Sequence, residues 1–231
     1  MDFEQLKLLY EKYKKKFGKE AYRKISKLLS EAKILHKADW EKQKTPHRDH
    51  EQSWRAFKGK NLEKLIEHII VDEVRALCLD VVNGNSLEKT EDSNLPKLLS
   101  KVKRNLVVDY GEFGMHLPDV DLVIFNPKTA EVIAVLSSKV TLRERVAQTG
   151  YWKFKLMNSE TTQNIKVFFV TPDEDGTLTT KSPAKKGRAI VEIDLDGSYV
   201  LTEALVEESN KVKLFDKFID DLKALINGKS K

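Results

Sequence analysis

The chain has 231 residues, 33% of them charged and 40% hydrophobic, a balance that suits a folded globular protein and excludes a disordered one. Lys and Arg (41) outnumber Asp and Glu (36), and the net charge of +5 with a pI near 9.0 admits a polyanionic partner without demanding one. No apolar run approaches the roughly 20 residues that cross a bilayer. The charged N-terminus is unlike a secretory signal and Cys78 is the single cysteine, so the expectation is a cytoplasmic protein with no membrane partner, no internal disulfide and no cysteine metal cage.

Residues 1–45 read as an N-terminal helical subdomain. Phe3, Leu6, Leu9, Tyr10, Tyr13 and Phe17 recur at helical spacing, Gly18 interrupts, and Ile25, Leu28, Leu29, Ala32 and Leu35 resume the period. The other faces are rich in lysine, which fits either a solvated surface or an arm that grips DNA. The polar stretch "KQKTPHRDHEQS" (42–53) reads as a linker; its histidines match no zinc spacing. From about Trp54 to Leu79 a strongly amphipathic helix follows, with Phe57, Leu62, Leu65, Ile66, Ile69, Ile70 and Val74 on one face.

After residue 106 the period shortens. Residues 121–126 and 131–139 should pair as an antiparallel hairpin about a turn at Asn126–Thr129. Residues 141–157 look helical, "NIKVFFVTP" is a buried strand, "AIVEIDL" and "SYVLTE" read as further strands, and Ser209 as the cap of a last helix. These elements predict an α/β fold with a mixed central sheet flanked by helices, occupying residues 46–231.

Strand alternation predicts that Asp119 and Asp121 share a face, as do Ser137 and Lys139, so pairing would set carboxylates beside a lysine. Such a cluster is either a strand-edge salt bridge or a site for Mg²⁺, which takes one or two carboxylates plus substrate phosphate. Pro118-Asp119, followed some twenty residues later by Ser137-Ser138-Lys139, resembles the PD-(D/E)xK nuclease motif with serine in place of its second acid. Arg143-Glu144-Arg145 stands where nucleases that cut CCGG-containing sites carry an R-(D/E)-R element; an arginine fork suits guanine and a carboxylate suits cytosine. With "WRAFKGKNLEKLIEHII" and "LPDVDLVIFNP", these segments are similar to BsaWI-type restriction endonucleases over roughly residues 50–170.

That resemblance implies Mg²⁺-dependent double-strand cleavage at a short palindrome, most simply by a homodimer. It assigns Asp119 to the aspartate of the motif, with Asp121 as competitor, and Lys139 to the catalytic lysine. Glu63 is the expected substitute for the acid absent at Ser137, with Glu67 as second candidate. Arg143, Glu144 and Arg145 are expected to read bases. Gln148 and Tyr151 resemble a Q-x-x-Y feature that contacts the backbone or its waters, whereas Trp152 is expected to pack in the core. "KSPAKKGR" (181–188) is either a phosphate contact or an exposed loop.

Overall fold

The computed structural model describes residues 1–42, 49–141 and 145–229; Arg143 and Glu144 of the expected base-reading element, and His47 of the linker, lie outside these. Helix α1 (Phe3–Phe17) opens on a reciprocal cap in which the Asp2 carboxylate accepts from Gln5 N–H and the Gln5 side chain accepts from Asp2 N–H. Gly18, with φ of 57°, ends it, and a 3-10 helix (Gly18–Lys24) leads into α2 (Ile25–Lys42). Helix α3 (His50–Ala76) begins four residues before the expected Trp54, where Asp49 accepts from Glu51 N–H, and buries Leu62, Leu65, Ile66, Ile70 and Val74 along one stripe.

The chain then continues as β1 (Asp80–Asn83), α4 (Gly84–Lys89), α5 (Lys97–Arg104) and the short strands β2 (Val108–Asp109) and β3 (Met115–His116). The remaining elements are β4 (Leu122–Phe125), β5 (Val132–Ser138), α6 (Arg145–Met157), β6 (Lys166–Thr171), α7 (Lys186–Asp194), β7 (Gly197–Val200), β8 (Val212–Leu214) and α8 (Phe218–Lys229). Six strands form one mixed sheet in the order β1-β4-β5-β6-β7-β8, antiparallel over the first three and parallel from β5 onward. Strands β2 and β3 pair apart from it.

Alternation along β4 builds both layers. Leu122 and Ile124 join an apolar cluster with α1, α2, α3 and α8, while Val123 and Phe125 join the opposite cluster with α5, α6 and α7. The N-terminal helices therefore share one core with α3 and one face of the sheet. The expected hairpin of residues 121–126 and 131–139 is present as β4 and β5, trimmed by a residue or so at each strand end.

Two expected elements differ. "AIVEIDL" is not a strand: it lies within α7 and its short loop, because Arg188, Val191 and Leu195 are the positions that face inward, at helical spacing, while Ile193 is 77% exposed. Ser209 does not cap the last helix. Its hydroxyl accepts from Lys211 and Val212 N–H, turning the chain into the edge strand β8, and α8 starts only at Phe218.

Candidate active site

The hairpin β4–β5 and helix α3 meet at one end of the sheet. Asp121, just before β4, is 3% exposed and fixed from three sides. Its N–H donates to Leu136 O (2.9 Å), its carbonyl accepts from Gly84 N–H (2.9 Å), and its carboxylate accepts from Ser138 N–H (2.5 Å). Gly84 makes the second contact possible, since a Cβ there would overlap Val120 O. The Asn83-Gly84 turn signal was the trace of this support in the sequence.

Lys139, one residue beyond β5, donates from Nζ to both carboxylate oxygens of Asp121 (2.9 and 3.0 Å) and to Glu63 Oε1 (3.4 Å) on α3. Two half-buried or buried carboxylates thus converge on one ammonium group. Burial pushes the Glu63 carboxyl up to about 7, and the neighbouring Asp121 charge adds to the rise; Lys139 opposes both. Such a group gives up its proton readily to a cation that offsets the charge of the pair.

Asp119 stands apart from this cluster. Residues 117–121 are not regular strand, so the two-residue period does not carry the Asp119 side chain to the face that Asp121 occupies. Asp119 is exposed and accepts from Gln148 Nε2 (2.9 Å), and Gln148 Oε1 accepts from Arg145 Nη1 (2.9 Å), a chain that joins the approach to β4 with the first turn of α6. Tyr151, one turn on, meets the Tyr110 hydroxyl at 2.9 Å. Trp152 packs half-buried against the α6–α7 side of the core.

Ser137 is buried in β5 opposite Phe169 of β6. Glu67 is half-buried one turn beyond Glu63, its carboxyl raised chiefly by burial, and makes no contact with Lys139. Both glutamates line a groove of about 1080 Å³ with Lys60, Lys64, Asn83 and Ser86, leading away from the cluster along α3. Within 181–188, Arg188 is fully buried and bonded to Glu192 and to the carbonyls of Leu178 and Glu207, so it is a structural residue; Lys181, Lys185 and Lys186 remain at the surface.

Among the described residues no three His, Cys, Asp or Glu side chains form a closed metal cage. Two carboxylates beside an open groove nevertheless suit a hard divalent ion that keeps waters and takes further oxygens from a substrate. Also among the described residues, no helix is long and apolar enough to cross a membrane.

A mixed sheet flanked by helices is the architecture of the restriction-endonuclease fold. The model of the BsaWI restriction endonuclease type 2 family matches residues 98–221. A protein of Methanocaldococcus jannaschii assigned as the type II restriction enzyme MjaVIP is 38% identical over 176 residues, covering 74% of this chain and 76% of the relative. HpyAORF263P of Helicobacter pylori, likewise assigned as a type II restriction enzyme, is 38% identical over 132 residues, covering 55% of this chain and 64% of the relative. The solved AgeI restriction endonuclease–DNA complex shares the fold, with TM-score 0.54 and 18% identity over 79% of this chain and 72% of that one. The chain belongs to the BsaWI family of type II restriction endonucleases.

Proposed function

We propose that this protein is a Mg²⁺-dependent endonuclease that cuts both strands of DNA at a short palindromic site containing CCGG, acting as a homodimer. Residues 1–45 would form a helical subdomain on an endonuclease domain of residues 46–231. The observation that carries the reading is the convergence of Asp121 and Glu63 on Lys139 at the sheet end.

Asp121 and Glu63 would hold the ion, the first rigidly and the second from α3. When bound, Mg²⁺ supplies charge neutralisation at the phosphoryl oxygens and acidifies a bound water. Lys139 orients the attacking water and donates to the phosphoryl oxygen on which charge gathers, a role suited to an ammonium group already aimed into the cluster. Asp121 is fixed by backbone bonds, so it needs little rearrangement as charge develops.

Asp119 and Gln148 act as a brace that holds Arg145 at the start of α6. From there Arg145, with Arg143 and Glu144, would read the G·C pairs: arginine donates to guanine O6 and N7, and glutamate accepts from cytosine N4. Surface lysines of residues 2–41 and of 181–186 would contact phosphates, which makes binding fall steeply with salt. A palindrome matches a two-fold pair of chains.

Incubation with Mg²⁺ and DNA rich in CCGG sites tests this reading. Discrete fragments support it; nicking that follows DNA structure, or shifted but intact DNA, refutes it. Arg145→Ala should lower specific binding by about 1–3 kcal/mol while leaving nonspecific binding nearly intact.

A further inference from the structure

Strands β2 and β3 form a small ribbon outside the main sheet, and the turn joining them and the start of β3 expose two large apolar side chains. Phe113 is 74% exposed and Met115 58%. The ribbon is nonetheless well built. Tyr110 N–H donates to Gly114 O (2.9 Å), Gly114 N–H to Gly111 O (3.0 Å), Asp109 accepts from Gly111 N–H (2.7 Å), and His116 Nε2 lies 2.8 Å from Phe113 O. Gly111 and Gly114 take φ of 64° and 82°, and a Cβ on either would meet nothing within 4 Å, so the tip stands in open space. A rigid tip that leaves a phenylalanine and a methionine in water forgoes the burial those side chains ordinarily gain.

Its position limits what can cover it. The ribbon base is tied to α6 by the Tyr110–Tyr151 hydroxyl contact, on the side of α6 that also carries Arg145 and Gln148 at three-residue spacing. Met115 precedes Asp121 by six residues, a reach of at most about 20 Å even when extended. The ribbon base therefore lies on the α6 side of the sheet, across it from α3, and its second strand begins within about 20 Å of Asp121. A two-stranded ribbon is narrow enough to enter the major groove of DNA, about 12 Å wide. Glu112 at the tip disfavours a seat along the phosphate backbone and so favours contact with bases over contact with phosphates.

We propose that the β2–β3 ribbon enters a groove of the DNA beside the cut position and that Phe113 and Met115 pack against bases, making the tip a specificity-determining contact. This rests on the nuclease reading of the neighbouring cluster. Apolar contact with bases contributes to affinity without releasing counterions, whereas phosphate contacts set the salt slope.

The test compares wild type, Phe113→Ser/Met115→Ser and, as a control for loss of an exposed apolar side chain elsewhere, Leu205→Ser. Binding to a CCGG-containing duplex and to an unrelated duplex is measured over a salt series, with sedimentation and thermal melting of each protein. The double variant should melt as wild type does and bind the CCGG duplex at least about tenfold more weakly, with the salt slope and the sedimentation unchanged. The control should match wild type. Unchanged affinity, an altered salt slope, or a shift from dimer to monomer in the double variant overturns the inference, the last assigning the tip to a second copy. Wild type that neither prefers nor cuts the CCGG duplex overturns the nuclease reading itself.

Discussion

Replacing Glu63 by Gln should change how stability depends on pH, because the carboxyl is raised from its ordinary 4.5 to about 7 by burial and by the Asp121 charge. A carboxyl with a raised value keeps its proton longer in the folded than in the unfolded chain. Between about pH 4.5 and 7 the folded state therefore binds more protons, and the metal-free protein loses stability as pH rises through that window. The climb to about 7, at roughly 1.36 kcal/mol per tenfold change in proton affinity, limits the effect to about 3 kcal/mol. Glu63 also lines the groove along α3, so solvent there lowers the effect below that limit.

The amide introduced by Glu63→Gln cannot ionise, so the variant should lack this part of the slope and be the more stable protein at pH 8. Chemical denaturation in EDTA from pH 4.5 to 8.5 measures it. Asp173, raised to about 6 mainly by burial, contributes a similar slope of its own, which is why the difference between the two proteins is the quantity to read. Added Mg²⁺ should stabilise wild type at pH 8 more than the variant, by binding only the folded state. Parallel curves for the two proteins would refute the assignment of Glu63 to the cluster.

Asp121→Asn should reduce cleavage more than about 100-fold with DNA binding retained, whereas Asp119→Ala, which removes the acceptor that braces Gln148, should cost about tenfold or less and act on specific binding; single-turnover rates and gel shifts separate the two. Gly84→Ala drives a methyl into Val120 O, so the β1–α4 turn must move; calorimetry should find a loss of about 1–3 kcal/mol, and cleavage should fall because the same turn holds the Asp121 carbonyl.

Those residues also mark how far the sequence could be read. The hairpin was legible because a buried strand pair leaves a strong periodic pattern, and its pairing set Asp121 near Lys139; Glu63 was reached only through the resemblance of its helix to the nuclease core helix. The separation of Asp119 from Asp121 was not: alternation holds only inside a strand, and β4 begins after both. In α7 the β-branched run masked a helix whose inward stripe includes a charged residue, Arg188, satisfied by Glu192 and two carbonyls. Strand β8, of three residues, is too short to leave a period. Asn83-Gly84 marks a turn in the sequence, but the contact with Val120 O that requires glycine there is tertiary and leaves no local pattern.

The most direct test of the central claim is the single-turnover cleavage of a CCGG-containing duplex, with Mg²⁺, by wild type and by Lys139→Ala, with binding measured on the same samples. Wild type should give two-strand cuts at a fixed position, and the variant should bind the duplex yet leave it whole, since the ammonium group shared by Asp121 and Glu63 is gone. Cutting that survives the loss of Lys139 would contradict the account.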